Sequence, residues 1–169
     1  LLQPDHTQPL HKVTIVPRGR ALGFAAHLPE RDKYSQSKEE LEAEMVVILG
    51  GRVGEEIGMG KKFTGVTNDL QRVTALARNM VCDYGMSESL GLLSYTDMQK
   101  RYSPETAGKI DQEIRRIVDE CYKRAVNLVN GNRDKLEILT KKLLEKETLQ
   151  AEEIYELLDI EPRVFHNIA

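Results

Sequence analysis

Ser37-Lys-Glu-Glu-Leu-Glu-Ala-Glu-Met-Val-Val-Ile-Leu-Gly-Gly-Arg-Val-Gly-Glu-Glu-Ile-Gly58 is the stretch from which the fold can be read. Ser37 followed by Glu40 is a capping box: the hydroxyl accepts a first-turn backbone N–H while the carboxylate reaches back to the N–H of the cap. Leu41, Met45, Ile48, Leu49, Val53 and Ile57 then recur every three or four residues, which gives a helix with one buried face. Gly50 and Gly51 fall inside that helix, where each costs up to about 1 kcal/mol relative to alanine. Close approach of another helix or backbone is the expected compensation. Gly58-Met-Gly60 ends the element.

Downstream the helical pattern continues. A polar loop from Lys61 to Thr67 leads to a stripe of Leu70, Val73, Ala77, Met80, Val81 and Tyr84, stopped by Gly85. Residues 85–102 form a connector with little regular pattern. Ser103-Pro-Glu105 then combines a cap, a first-turn proline and an early acid, a strong helix start. Ala107, Ile110, Ile114, Ile117, Cys121, Ala125 and Leu128 follow at near-heptad spacing up to Gly131. Asn132 caps a further helix with Leu136, Leu139, Leu143 and Leu144 inward. Thr148-Leu-Gln150 breaks the chain before a last short helix carrying Ile154, Leu157 and Leu158, and Pro162 ends it. Upstream, Val13-Thr-Ile-Val16 is β-branched and stops at the turn signal Pro17-Arg-Gly19, and Ala21 to Leu28 is a second apolar run stopped by Pro29. The expected fold class is therefore mainly α (α+β), a helical bundle with a small N-terminal β-ribbon.

Composition excludes several alternatives. At 169 residues the chain can bury a real core as one domain or a close pair of subdomains. A formal charge of −3, with no block of Lys and Arg, argues against nucleic acid as a partner. No apolar run approaches the roughly 18 residues of a membrane span. Cys82 and Cys121 sit singly in helical patterns, so reduced core thiols are expected. The chain opens on Leu1 instead of Met, and Leu1-Leu-Gln-Pro4 reads like the frayed end of a helix, so a fragment of a longer protein is expected.

Among residues that could carry chemistry, Asp69 comes first. It falls in the opening turn of its helix, where the N-terminal dipole favours an ionised carboxylate. Taken from the residues alone, a helix-capping Asp is the commoner reading, with a hard oxygen ligand for a cation as the sharper one. Glu55 and Glu56 point about 100° apart on their helix, so at most one faces a site. The four histidines, His6, His11, His27 and His166, offer no pair at the spacing of four that a metal-binding helix needs: His6 and His11 lie among Pro4 and Pro9 as loop and turn residues, and His27, at the end of the second apolar run, could line a cleft. Gly54-Glu-Glu-Ile-Gly-Met-Gly-Lys-Lys62 fails as a phosphate loop, because five residues separate its outer glycines and no Ser or Thr follows the first lysine. Ser37, Ser87 and Ser103 are read as caps or loop hydroxyls. Arg20-Ala-Leu-Gly-Phe-Ala-Ala26 could be a plain core strand or an edge that holds an extended peptide by main-chain hydrogen bonds.

In order and spacing, His11-Lys-Val-Thr-Ile-Val-Pro-Arg-Gly-Arg-Ala-Leu-Gly23, Gly50-Gly-Arg-Val-Gly-Glu-Glu56, Thr64-Gly-Val-Thr-Asn-Asp-Leu70 and Asn79-Met-Val-Cys-Asp-Tyr-Gly-Met-Ser-Glu88 resemble the peptidase domain of the FtsH family. Ile110-Asp-Gln-Glu-Ile114, Leu143-Leu-Glu-Lys-Glu-Thr-Leu149 and the closing Ala151-Glu-Glu153 helix extend the likeness over nearly the whole chain. These are membrane-anchored, ATP-dependent zinc metalloproteases, and the Thr-Gly-Val-Thr-Asn-Asp form is similar to bacterial members. Gln150 departs from the Asp or Ser cap that the family often has there.

The resemblance implies that residues 1–160 are a peptidase domain lacking its N-terminal zinc-binding His-Glu-x-x-His helix. Its parts are a β-ribbon region (1–36), metal-site helices (37–102) and a C-terminal helical bundle (103–160), with 161–169 a loose tail. It implies zinc-assisted peptide hydrolysis, with Asp69 as the metal ligand in this chain, Glu55 supporting the centre by hydrogen bonds to the other ligands, and the general-base Glu outside it. Gly23 and Phe24 would hold substrate at the ribbon edge. The implied partners are unfolded polypeptide substrates, an AAA ATPase module in cis that alone uses ATP, and five further copies in a homo-hexamer. The implied location is the cytoplasmic side of the bacterial inner membrane. A parent with a degraded His-Glu-x-x-His would instead be a non-catalytic assembly or chaperone-like subunit, and retention of Asp69 argues against that. On this reading the purified 169 residues hydrolyse no peptide and hold zinc weakly or not at all, and peptidase activity in a preparation free of contaminating protease contradicts it.

Overall fold

The computed structural model describes residues 1–2, 6–17, 19, 23–27, 35–62, 64–95 and 102–162. Its elements, in chain order, are β1 (Leu10–Thr14), β2 (Phe24–His27), α1 (Lys38–Met59), a 3-10 turn (Thr64–Val66), α2 (Thr67–Cys82), α3 (Pro104–Gly131), α4 (Arg133–Lys146), β3 (Thr148–Gln150) and α5 (Ala151–Leu158). The architecture is mainly α with a small antiparallel sheet, as expected. The chain divides into two compact units, Gln36–Asn130 and the combination of Leu1–Ser35 with Gly131–Ala169.

In the Gln36–Asn130 unit, α1 starts as its capping box dictates. Ser37 Oγ accepts the Glu40 N–H at 3.3 Å, and Glu40 Oε2 accepts the Ser37 N–H at 2.7 Å. The helix ends at Gly60, whose φ of 64° is the left-handed conformation that glycine adopts without strain, and whose N–H bonds the Glu56 carbonyl at 3.0 Å. Leu41, Met45, Leu49 and Val53 are buried against Val73, Ala77, Met80 and Val81 of α2, together with Ile110, Ile117, Cys121 and Ala125 of α3. The stripe assigned to α2 is too wide at both ends. Leu70 is 47% exposed and Tyr84 54%, because the first turn of α2 and the residues after Cys82 extend past the apolar surface that α1 and α3 offer.

Gly50 and Gly51 correct another expectation. A Cβ built on either would meet nothing within 4 Å, so among the described residues no close helix approach accounts for them.

The other unit is built on a sheet ordered β2-β1-β3. β1 covers Leu10–Thr14 instead of Val13–Val16, because its pairing with β2 runs from Leu10 to Thr14 and Ile15 and Val16 are exposed beyond it. His11 accordingly lies in a strand and not in a loop. β3 was read only as a break between helices. Lys12, Val13 and Thr14 pair with Gln150, Leu149 and Thr148, and the Thr14 and Thr148 hydroxyls hydrogen-bond at 2.7 Å. Three residues are too few for a period-2 signal, and the partner strand is more than a hundred residues away. Leu149, Ile154, Tyr155 and Leu158 form the core with Leu10 and Leu143. On α4 only Leu143 is buried, whereas Leu144 is 71% exposed and Leu136 37%. The helix turns Leu143 alone fully onto α5 and the sheet. The last helix starts at Gln150, whose N–H bonds Glu153 Oε2 at 3.1 Å, so the departure from an Asp or Ser cap leaves the capping carboxylate in place. The expected tail, 161–169, lies largely outside the described residues.

Because the Cβ positions at Gly50 and Gly51 are open, replacing either by alanine in the 169-residue chain should raise unfolding free energy by roughly 0.5–1 kcal/mol. Urea denaturation measures this, and a loss of stability on Gly50→Ala would show that something packs on that surface.

Candidate functional site

Asp69 lies in the first turn of α2, where the backbone N–H groups are not yet used within the helix. The sequence brings it there because Thr64–Val66 winds as a 3-10 turn directly into α2, and the Thr67 hydroxyl closes that turn by donating to the Thr64 carbonyl at 2.9 Å. The side-chain cap is absent at Val66, and Asp69 itself makes no hydrogen bond or ion pair among the described residues. Its residue is half-buried. A capping role, the commoner reading from sequence, is therefore not what this carboxylate performs.

Glu55 sits about one turn before the end of α1, which packs against α2. Its Oε2 is shut off from solvent and has no hydrogen-bond partner among the described residues. A carboxylate oxygen in that condition is costly unless a donor or cation completes it. Glu56, expected to be a solvated acid, is bound on every side. Arg52 Nε donates to Oε1 at 2.6 Å, Tyr122 Oη donates to Oε2 at 2.5 Å, and Lys62 Nζ stands 3.8 Å from Oε1. The Tyr122 hydroxyl, with Arg52 and Lys62, holds the Glu56 carboxyl below its ordinary range, and the same bond raises the Tyr122 hydroxyl. The sequence separated the two acids by direction, and the signal for the binding of Glu56 was available only in part, as the i,i+4 spacing from Arg52.

Asp69 and Glu55 thus stand on consecutive packed helices of one unit, while Gly23 and Phe24 belong to the other. Gly23 has a packing reason of its own: a Cβ there would come within 2.6 Å of the Thr14 carbonyl oxygen on β1. Phe24 is half-buried on β2, with the Lys12 ammonium 5.9 Å from the centre of its ring. Among the described residues no group of three or more His, Cys, Asp or Glu side chains converges to hold a metal. The two oxygen donors of Asp69 and Glu55 suit a divalent ion as a share of its surroundings, one as a hard ligand and one with an oxygen awaiting a donor, and other ligands must complete the set.

The remaining polar clusters serve the fold. Ser87, 2% exposed, donates to Glu113 Oε2 at 2.8 Å, and its oxygen accepts the Leu90 N–H at 3.3 Å, fastening the loop after α2 to α3. Arg116 grips Glu113 with two nitrogens at 3.1 Å and Glu120 at 2.8 Å. Cys82 and Cys121 are buried, and burial lifts the Cys121 thiol to about 11, so both are inert core groups. Among the described residues no helix is long and apolar enough to cross a membrane.

Residues 2–157 match the model of peptidase family M41. The "ATP-dependent zinc metalloprotease FtsH" of Bacillus subtilis is 48% identical over 168 residues, which covers 92% of this chain and 26% of the relative. Proteins of the same name from Akkermansia muciniphila and Thermotoga maritima are 44% and 41% identical, covering 94% and 91% of this chain and 21% and 27% of theirs. The chain therefore spans about a quarter of the length of the curated relatives it matches.

The Arg116 bonds, with those from Ser87 and Ser89, hold the Glu113 carboxyl below its ordinary value of 4.5. A lowered folded-state value contributes stability above the ordinary carboxylate range and loses it as pH falls through the lowered value. Thermal midpoints measured downward from pH 6 should fall less steeply in Glu113→Gln than in the natural protein, and identical acid limbs contradict the role given to this pair.

Proposed function

We propose, for a chain that belongs to peptidase family M41, that it is the proteolytic module of an ATP-dependent zinc metalloprotease, and that Asp69 is its contribution to the metal. What supports this most is the condition of Asp69 itself, a half-buried carboxylate at a helix N-terminus with neither a capping role nor an ion-pair partner among the described residues. Glu55 supports it second, through the orphaned oxygen that a metal-ligating imidazole N–H would satisfy. Two imidazoles and a general-base carboxylate, supplied by a His-Glu-x-x-His helix outside these residues, complete the set in this reading.

The chemistry a zinc ion supplies when bound is polarisation of the scissile carbonyl and acidification of water. The chain's own part is to place the Asp69 carboxylate at the start of α2 and to keep Glu55 turned inward. The ribbon would hold substrate in extended form: β2 is an outer strand of the sheet, and Gly23 and Phe24 lead into it. Main-chain pairing of that kind reads side chains loosely, which suits unfolded polypeptide substrates. An ATPase module in cis would unfold and feed them, and the whole would act as a homo-hexamer anchored in the bacterial inner membrane, with this domain on the cytoplasmic face. These features of the whole protein rest on family membership and extend beyond what this chain carries.

Asp69→Ala in the full-length protease is expected to release most of the zinc on dialysis and to lower kcat/KM for a peptide by more than roughly 100-fold, with ATP hydrolysis retained. Metal analysis with a peptidase assay reads both. Unchanged zinc content would sink the reading.

A further inference from the structure

We propose that Glu56, acting through Tyr122, is a positioning residue for the metal site, a deepening that rests on the function just assigned to Asp69 and Glu55. One turn of α3 holds α1 at two distant points. Arg124 Nη1 donates to Glu42 Oε2 at 2.9 Å and the Cys121 thiol lies 3.7 Å from the Glu42 carbonyl, while Tyr122 Oη reaches Glu56 Oε2 at 2.5 Å. Glu42 and Glu56 are roughly 20 Å apart along a helix that rises about 1.5 Å per residue. The second tether is thus a separate restraint on the far end of α1, reinforced within the helix by Arg52 at 2.6 Å and from the following loop by Lys62.

Glu55 precedes Glu56, and the helix fixes their directions about 100° apart. Fastening Glu56 to α3 therefore sets the direction of Glu55. That matters because Glu55 Oε2 is buried and, among the described residues, without a partner, a state that favours any rotation of the last turns of α1 that brings the oxygen to water. The bond from Tyr122 opposes that rotation and keeps the oxygen facing inward, ready to accept from a ligand of the metal. Glu56 and Tyr122 touch neither metal nor substrate in this account. They act through Glu55.

The test uses the full-length protease and measures zinc affinity by competition with a chromogenic chelator, beside the melting temperature. Tyr122→Phe keeps the packed ring and removes only the hydroxyl. It should weaken zinc binding roughly 10-fold while the melting temperature holds. Glu56→Gln, which retains an acceptor for the tyrosine, should lose less than Glu56→Ala, and this pair decides the matter if Tyr122→Phe folds poorly. Arg124→Gln, which cuts the other tether, should bind zinc as the natural protein does. Natural affinity in Tyr122→Phe, in a protein where Asp69→Ala does lose its zinc, overturns the proposal. So does a parallel fall of affinity and melting in Tyr122→Phe and Arg124→Gln alike, which would mean a general loosening of the fold. Full zinc retention by Asp69→Ala instead removes the functional reading and this proposal with it.

Discussion

Burial of one face of α1 is the constraint on which the Gln36–Asn130 unit depends. Met45 and Val53 are almost wholly removed from water, as are Val73, Ala77 and Met80 of α2 and Ile117 and Cys121 of α3. Truncating a side chain at such a position to alanine costs about 2–5 kcal/mol, a large share of the marginal stability of a domain. Once that face is committed, everything else on α1 has a fixed direction. Glu44 meets Arg72 on α2, Glu42 meets Arg124 on α3, and Glu56 meets Tyr122. Polar ties of this kind contribute little net energy when exposed, and their effect here is to choose orientation. The carboxylates of Glu55 and Asp69 take their places from the helices that this apolar packing fixes.

The two acids are left in states that folding alone does not explain. A helix N-terminus normally finds a side chain to cap it, yet among the described residues Asp69 in the first turn of α2 makes no bond, and the preceding Val66 offers none. A buried carboxylate oxygen normally finds a donor, yet among the described residues Glu55 Oε2 has none. Among the described residues, the acids whose ionisation the fold lowers (Glu56, Glu105, Glu113, Glu145 and Glu153) are each held by a cation or hydroxyl that binds them.

How much of this could be read from the sequence depended on the range of each interaction. The α1 capping box was legible because Ser37 and Glu40 satisfy one another within a single turn, and the end at Gly60 because a left-handed residue suits glycine. Strand β3 was not, since Thr148-Leu-Gln150 becomes a strand only by pairing with residues at the other end of the chain. Leucine spacing on α4 placed Leu136 and Leu144 inward, but spacing marks a face without saying how much of it a neighbour covers, and only Leu143 is buried. Helical geometry said that at most one of Glu55 and Glu56 faces a site, and only the family resemblance singled out Glu55. The fate of Glu56 was not legible, because Tyr122 lies 66 positions further along and nothing local marks it as a partner. Asp69 was picked out by its surrounding Thr-Gly-Val-Thr-Asn-Asp-Leu motif. From its position alone, a cap was the better guess.

X-ray absorption at the zinc edge of the full-length protein tests the central claim most directly, with the natural chain set beside Asp69→Asn, which keeps the shape of the side chain and removes its charge. A zinc bound by two imidazole nitrogens and one carboxylate oxygen is expected in the natural protein, with the carboxylate contribution gone in the variant. An unaltered zinc spectrum in Asp69→Asn would contradict the account.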